Sequence, residues 1–278
     1  MNMSQHTHSN VLVDTQFVFE HLNHPNIRLI QADMNPETYN TGHIPGAVFW
    51  NITTDLLLPD YRINFDSVAW QKLLENSGIT NQTTVITYGD FAATGAWLFW
   101  LFKVFGHNDV RVLNGGYQKW LSEDRPVAVD SQAIPPTEYQ LQTPDANLRA
   151  FFDDVQQSIG KTDAILVDVR TPQEYSGEWF FMQPPQGTER AGHIPGAVSM
   201  YYELALNEDG TFKSVEELQT LYTSKNITAD KQVITYCTVG GRSAHTWFVL
   251  KYLLGYTKVR NYDGSWNEWS RIPNIAIE

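Results

Sequence analysis

Short apolar runs bounded by turn residues alternate along this chain with stretches of helical period. In the C-terminal half, Ala164-Ile165-Leu166-Val167-Asp168-Val169 and Val233-Ile234-Thr235-Tyr236 are apolar at nearly every position, the pattern of strands buried on both faces. Around them Phe151 to Ile159, Val215 to Tyr222 and Ser243 to Leu254 read as amphipathic helices, and Lys258-Val259-Arg260-Asn261-Tyr262 as a last short strand. Strands spaced by helices predict an α/β fold, a mostly parallel sheet covered by helices on both faces. Sites in such sheets lie at the carboxyl ends of the strands, which draws attention to the residues just after Tyr236.

The pattern occurs twice. Thr41-Gly42-His43-Ile44-Pro45-Gly46-Ala47-Val48 recurs as Ala191-Gly192-His193-Ile194-Pro195-Gly196-Ala197-Val198 at an offset of 150. Val85-Ile86-Thr87-Tyr88 recurs at Val233 at an offset of 148, and the stretch from Gly115 to Trp120 echoes Gly264 to Trp269 at 149. A period this long indicates two copies of one domain and not a solenoid. A proline-rich stretch from Pro126 to Thr137, poor in helical pattern, lies between them. It predicts an N-terminal domain over residues 1–130, a linker over 131–147 and a C-terminal domain over 148–278.

Composition narrows the function. With 278 residues, 42% hydrophobic and 18% charged, the chain is long enough for two domains with cores of their own. A net charge of −12 argues against a nucleic-acid partner. No apolar window reaches the length of a membrane span, and the opening from Met1 to Asn10 lacks the regions of a signal peptide, so a cytoplasmic location and no membrane partner are expected. One cysteine in the whole chain excludes an internal disulfide and a cysteine-rich zinc site. The acidic residues scatter without metal-ligand spacing, and neither a metal nor a cofactor is expected.

That cysteine, Cys237, stands where the strand Val233–Tyr236 gives way to Thr238-Val239-Gly240-Gly241-Arg242-Ser243 and then a helix. A loop between a strand end and a helix start turns backbone N–H groups inward, and with the helix dipole it forms an anion nest that favours thiolate over thiol. The glycines let the backbone curl, Arg242 supplies a planar cation and Ser243 is placed to cap the helix. Cys237 is therefore the candidate nucleophile, with Thr238, Val239, Gly240, Gly241, Arg242 and Ser243 as the candidate substrate cradle. The first copy differs here: the matching position is Gly89, and the loop from Gly89 to Gly95 has neither thiol nor arginine. Conversely, the second copy carries an insertion between Tyr175 and Gly192, with Trp179, Phe180, Phe181 and Arg190, expected to border the active loop.

These residues resemble the two-domain rhodanese family of sulfurtransferases over essentially the whole chain. The resemblance rests on Asp168-Val169-Arg170-Thr171-Pro172-Gln173-Glu174-Tyr175-Ser176-Gly177-Glu178, both Gly-His-Ile-Pro-Gly-Ala motifs, Tyr236 to Ser243, and Asn261-Tyr262-Asp263-Gly264-Ser265-Trp266. It implies tandem rhodanese-like domains with activity only in the second. It also implies a Cys237 persulfide that takes sulfane sulfur from thiosulfate and yields it to cyanide, a thiol or a protein acceptor. By the same resemblance the Arg190 region supplies a donor-binding arginine, so that Arg242 and Arg190 are expected to share the charge of the dianion. The loop lacks the basic residues that follow the cysteine in vertebrate thiosulfate enzymes and the Cys-Gly-x-Gly of mercaptopyruvate enzymes. It looks most like that of bacterial thiosulfate sulfurtransferases with arginine before serine, and 3-mercaptopyruvate is the alternative donor.

Two other functions compete. Cysteine and arginine around an anion nest also describe protein phosphatases, but those place one residue more between the two than the four found here. A non-catalytic interaction module is the other rival. Among the remaining polar residues, His43 and His193 belong to the duplicated motif and are expected to satisfy turn backbone. Asp168 is expected to fix loop geometry, Arg170 stands between a structural ion pair and a site cation, and His245 falls in the first turn of the helix after the loop.

Overall fold

The computed structural model describes residues 11–130 and 133–278. The opening ten residues, read for a signal peptide, and Ser131 and Gln132 of the expected linker lie outside the described residues. The chain divides into two compact units, one of residues 1–60, 64–145 and 207–212, the other of residues 61–63, 146–206 and 213–278. Residues 133–145, within the stretch read as a linker, thus belong to the first unit. There Thr137 Oγ1 donates to the Ile79 carbonyl at 2.7 Å, and the buried Tyr139 ring lies 5.9 Å from that of His107.

The first unit holds strands β1 (Leu12–Val13), β2 (Ile27–Asp33), β3 (Val48–Asn51), β4 (Thr84–Tyr88) and β5 (Val110–Leu113), the second β6 (Arg149–Ala150), β7 (Ala164–Asp168), β8 (Val198–Ser199), β9 (Gln232–Tyr236) and β10 (Val259–Tyr262). Their orders are β1-β5-β4-β2-β3 and β6-β10-β9-β7-β8, one topology used twice. Every pairing is parallel. Parallel strands need crossovers, and the helices that make them cover both faces; hence β4 and β9, central in their sheets, are apolar without alternation and buried from their second residue on.

The helix Thr94–Val104 packs on β4 and β5, and Gly241–Phe248 packs on β9 and β10. The second unit's core gathers Val155, Leu166, Ile194, Ile234, Tyr236, Trp266 and Trp269. A fully buried side chain of that apolar size contributes about 1.5–3 kcal/mol by removal from water. Among the described residues no helix is long and apolar enough to cross a membrane.

The helix expected from Ser243 to Leu254 starts earlier and changes character: α-helix covers Gly241–Phe248 and a π-helical turn succeeds it at Val249–Leu253. Gly240 is the cap, at φ +90°. The left-handed conformation open to glycine swings the loop straight into the helix, so no side chain caps it and Ser243 lies inside its first turn. The expectation of a Ser243 cap is corrected accordingly.

Both Gly-His-Ile-Pro-Gly motifs are held alike. His43 Nδ1 bonds the Tyr39 carbonyl and His193 Nδ1 the Tyr175 carbonyl, each at 2.9 Å. The His43 and Tyr39 rings stack at 3.8 Å, those of His193 and Tyr175 at 3.7 Å. The histidines thus serve the backbone of the preceding helix rather than the turn at the Pro-Gly pair.

Candidate active site

Cys237 comes directly after the carboxyl end of β9 and is 1% exposed. The loop around it is shaped by donors that take its carbonyls from outside. Trp266 N–H donates to Cys237 O at 3.0 Å, Asn267 N–H to Thr238 O at 2.9 Å, Asn261 Nδ2 to Gly240 O at 3.0 Å and Thr235 Oγ1 to Ser243 O at 3.1 Å. With the carbonyls held away, Gly240 N–H donates to Cys237 Sγ at 3.2 Å. Ser243 Oγ stands 3.6 Å from Sγ and 3.1 Å from Gly240 O, and its one proton can serve either acceptor. Donors on sulfur at a helix start favour electron density there, as in a thiolate or the terminal sulfur of a persulfide.

Arg242 and Val239 are the loop residues that reach partly to solvent, whereas Thr238, Gly240, Gly241 and Ser243 are buried. The Arg242 guanidinium does not lie open, because Glu174 faces it bidentately: Nη1 donates to Oε2 and Nη2 to Oε1, both at 2.8 Å. Nη2 also donates to Thr238 Oγ1, which itself donates to Glu174 Oε1 at 3.0 Å. Burial alone would raise the Glu174 carboxyl, but the Arg242 fork outweighs it and holds the group down to about 2. For Arg242 burial pulls downward, and the bonds to Glu174 reverse this and raise it. Sequence reasoning missed Glu174. The available signal was Thr171-Pro172-Gln173-Glu174, a capping box that starts the helix Pro172–Ser176 just after β7, at the sheet end that carries Cys237.

Arg190 makes its side-chain hydrogen bonds at the C-terminal segment, and its carbonyl accepts from Trp266 Nε1 at 3.1 Å. Its Nη1 donates to the Ile272 carbonyl at 2.9 Å and its Nη2 to that of Ile275, so the fork fastens the C-terminal segment. From the same insertion Phe180 and Phe181 pack against the second unit's core, in the cluster that holds Tyr236 and Trp266. Arg170 is structural. It pairs with Asp168 at 2.6 Å with both side chains 0% exposed, donates to Gly192 O at 2.7 Å, and lies over the Trp266 ring at 4.7 Å. His245 is fully buried with its ring 5.3 Å from Tyr202, and burial pushes its imidazole down to about 3, so it stays neutral. Among the described residues no group of three or more His, Cys, Asp or Glu side chains is placed to hold a metal ion.

The first unit could not host this chemistry by one substitution. A Cβ at Gly89, the counterpart of Cys237, would come within 2.5 Å of the Ala32 carbonyl oxygen and 2.7 Å of the Thr94 side chain. Its loop is closed against any side chain there.

The rhodanese-like domain model matches residues 15–123 and 151–272. The chain belongs to the two-domain rhodanese family. It is 46% identical over 278 residues to the "Sulfur carrier protein TtuD" of Thermus thermophilus, with 98% of each chain covered. It is 43% identical over 276 residues to the "Putative thiosulfate sulfurtransferase" of Mycolicibacterium smegmatis, with 97% of this chain and 98% of that one covered. Among solved structures, an anaerobic ergothioneine biosynthesis enzyme from Chlorobium limicola, in complex with trimethyl histidine, superposes with a TM-score of 0.83 at 29% identity, over 97% of this chain and 70% of that one. A structure of EanB with a cysteine persulfide and ergothioneine gives a TM-score of 0.79 at 29% identity; this rhodanese covers 64% of its length. The protein is a rhodanese-type sulfurtransferase, and sulfur transfer implies a donor and an acceptor.

Proposed function

We propose that Cys237 carries sulfane sulfur as a persulfide, taking it from thiosulfate and passing it to cyanide, a thiol or a protein thiol. The Cys237 thiolate attacks the outer sulfur of thiosulfate; a sulfur–sulfur bond forms, the bond to the sulfonate sulfur breaks, and sulfite leaves with that electron pair. The acceptor then attacks the terminal sulfur of the persulfide and the Cys237 thiolate is restored, two steps in place of one. The observation that carries this reading is Cys237 Sγ facing the Gly240 N–H at 3.2 Å and the Ser243 hydroxyl at 3.6 Å, in a loop whose carbonyls are bound from outside. Arg242 is the cation bonded into the loop, and Arg190 donates to the carbonyls of Ile272 and Ile275.

The similarity to the Thermus sulfur carrier favours a protein thiol among the acceptors. A phosphatase is disfavoured by the loop, which is one residue shorter than a phosphate nest. Thiocyanate formation from thiosulfate and cyanide tests the proposal. Initial rates should give parallel double-reciprocal lines, and Cys237→Ser should abolish turnover while leaving the melting temperature near that of the parent. Turnover by Cys237→Ser at the parent rate would refute it.

A further inference from the structure

Glu174 has no part in that chemistry, yet its side chain is 0% exposed and every bond it makes runs to the active loop or to its own helix start. Its Oε1 accepts from Thr238 Oγ1 and Arg242 Nη2, its Oε2 from Arg242 Nη1, Thr171 N–H and Thr171 Oγ1. A carboxylate buried for packing alone is unfavourable, so one retained in this position calls for a role in the loop. The first unit points the same way. There Tyr39 stacks on His43 as Tyr175 stacks on His193, but the residue before it is Thr38 where the second unit has Glu174. The position matching Arg242 is Thr94. Thiol, cation and carboxylate are absent together.

We propose that Glu174 is a positioning and specificity-determining residue: it aims the Arg242 fork and offsets its charge, so that the loop binds compact dianions weakly and takes donors of lower charge, such as low-molecular-weight persulfides, on comparable terms. This rests on the sulfurtransferase reading of the site. A dianion approaching Cys237 meets an arginine already bonded through both outer nitrogens to a carboxylate, on a chain of net charge −12. Arg190 has both outer nitrogens engaged by the carbonyls of Ile272 and Ile275. What remains for an anion is the field of the loop N–H groups, which a persulfide sulfur uses as well as a sulfonate does, and the Arg242 N–H groups not turned to Glu174 or Thr238, whose charge Glu174 offsets.

Glu174→Gln keeps the size and an acceptor oxygen but removes the charge. In a Cys237→Ser background, where no sulfur transfer occurs, calorimetry should show sulfate binding about tenfold or more tighter with Glu174→Gln, the scale of a hydrogen bond to a charged group. With Cys237 intact, the thiosulfate KM should fall by a similar factor while the KM for cysteine persulfide changes less than about twofold, a split that a purely structural role would not produce. Unchanged sulfate affinity and thiosulfate KM would overturn the proposal. Tighter sulfate binding without sulfur transfer by any Cys237-containing protein would uphold the role of Glu174 and sink the sulfurtransferase reading instead. Glu174→Asp retains the charge and should keep the parent's weak sulfate binding; tightening there as well would mean that geometry and not charge acts, against the proposal. Should Glu174→Gln fail to fold, the parent decides: its thiosulfate KM should stay flat or fall as potassium glutamate is added, whereas a rising KM, the mark of an open cation, overturns the assignment.

Discussion

Replacing Gly240 by alanine tests how the loop is built. Gly240 lies at φ +90°, and a Cβ there would stand 2.9 Å from Asp263 Cα and 3.0 Å from its carbonyl oxygen. A left-handed conformation costs a non-glycine residue about 1–2 kcal/mol, and an added methyl against packed backbone about 1–3 more. Gly240→Ala should therefore lose about 2–5 kcal/mol of stability. Gly160 supplies the control, since at φ +74° a Cβ there would have nothing within 4 Å, so Gly160→Ala bears the conformational term alone. Denaturant titration of both variants isolates the collision as their difference, about 1–3 kcal/mol. The collision also displaces the N–H that meets Cys237 Sγ at 3.2 Å. Losing a hydrogen bond to a charged group, about 1.5–3 kcal/mol, lowers kcat/KM by roughly ten- to a hundredfold in thiocyanate formation by the folded variant. A Gly240→Ala protein as stable as Gly160→Ala and as active as the parent would refute the account of the loop.

Acid stability should track Glu174, whose carboxyl lies at about 2 in the folded chain against an ordinary value of 4.5. A lowered folded value stabilises fully above the ordinary one and is lost as pH falls through the lower, so the parent should lose about 3 kcal/mol across that window and Glu174→Gln should not; parallel acid titrations of the two would contradict this. Arg190→Ala should loosen the C-terminal segment, lowering stability by about 1–3 kcal/mol, with thiosulfate kcat/KM within about threefold of the parent. A hundredfold loss of turnover there would return Arg190 to the donor site.

Much of the fold and the site was legible in the residues, for local reasons. The strand Val233–Tyr236, the unique Cys237 and the glycines after it encode a strand, a nucleophile and a bend within a few positions. The doubled Gly-His-Ile-Pro-Gly motif exposes the duplication, and the missing thiol at Gly89 shows which half carries the candidate nucleophile. What escaped depends on contacts distant in sequence. Glu174 and Arg242 meet because β7 and β9 are neighbours in the sheet and both end at one edge, and nothing near Arg242 announces a carboxylate. Arg190 is drawn to the carbonyls of Ile272 and Ile275, a choice made by how the C-terminal segment runs. Ser243 looked like a cap because serine often is one, but Gly240 turns the chain earlier and takes that place.

The central claim is that sulfur rides on Cys237. Intact-mass spectrometry of the protein after thiosulfate, with and without later cyanide, tests it most directly. The parent should gain the mass of one sulfur atom, lose it to cyanide or to a reducing thiol, and show the added sulfur on the peptide that contains Cys237; Cys237→Ser should gain nothing. A parent whose mass is unchanged by thiosulfate, or a Cys237→Ser protein that gains the same sulfur, would contradict the account.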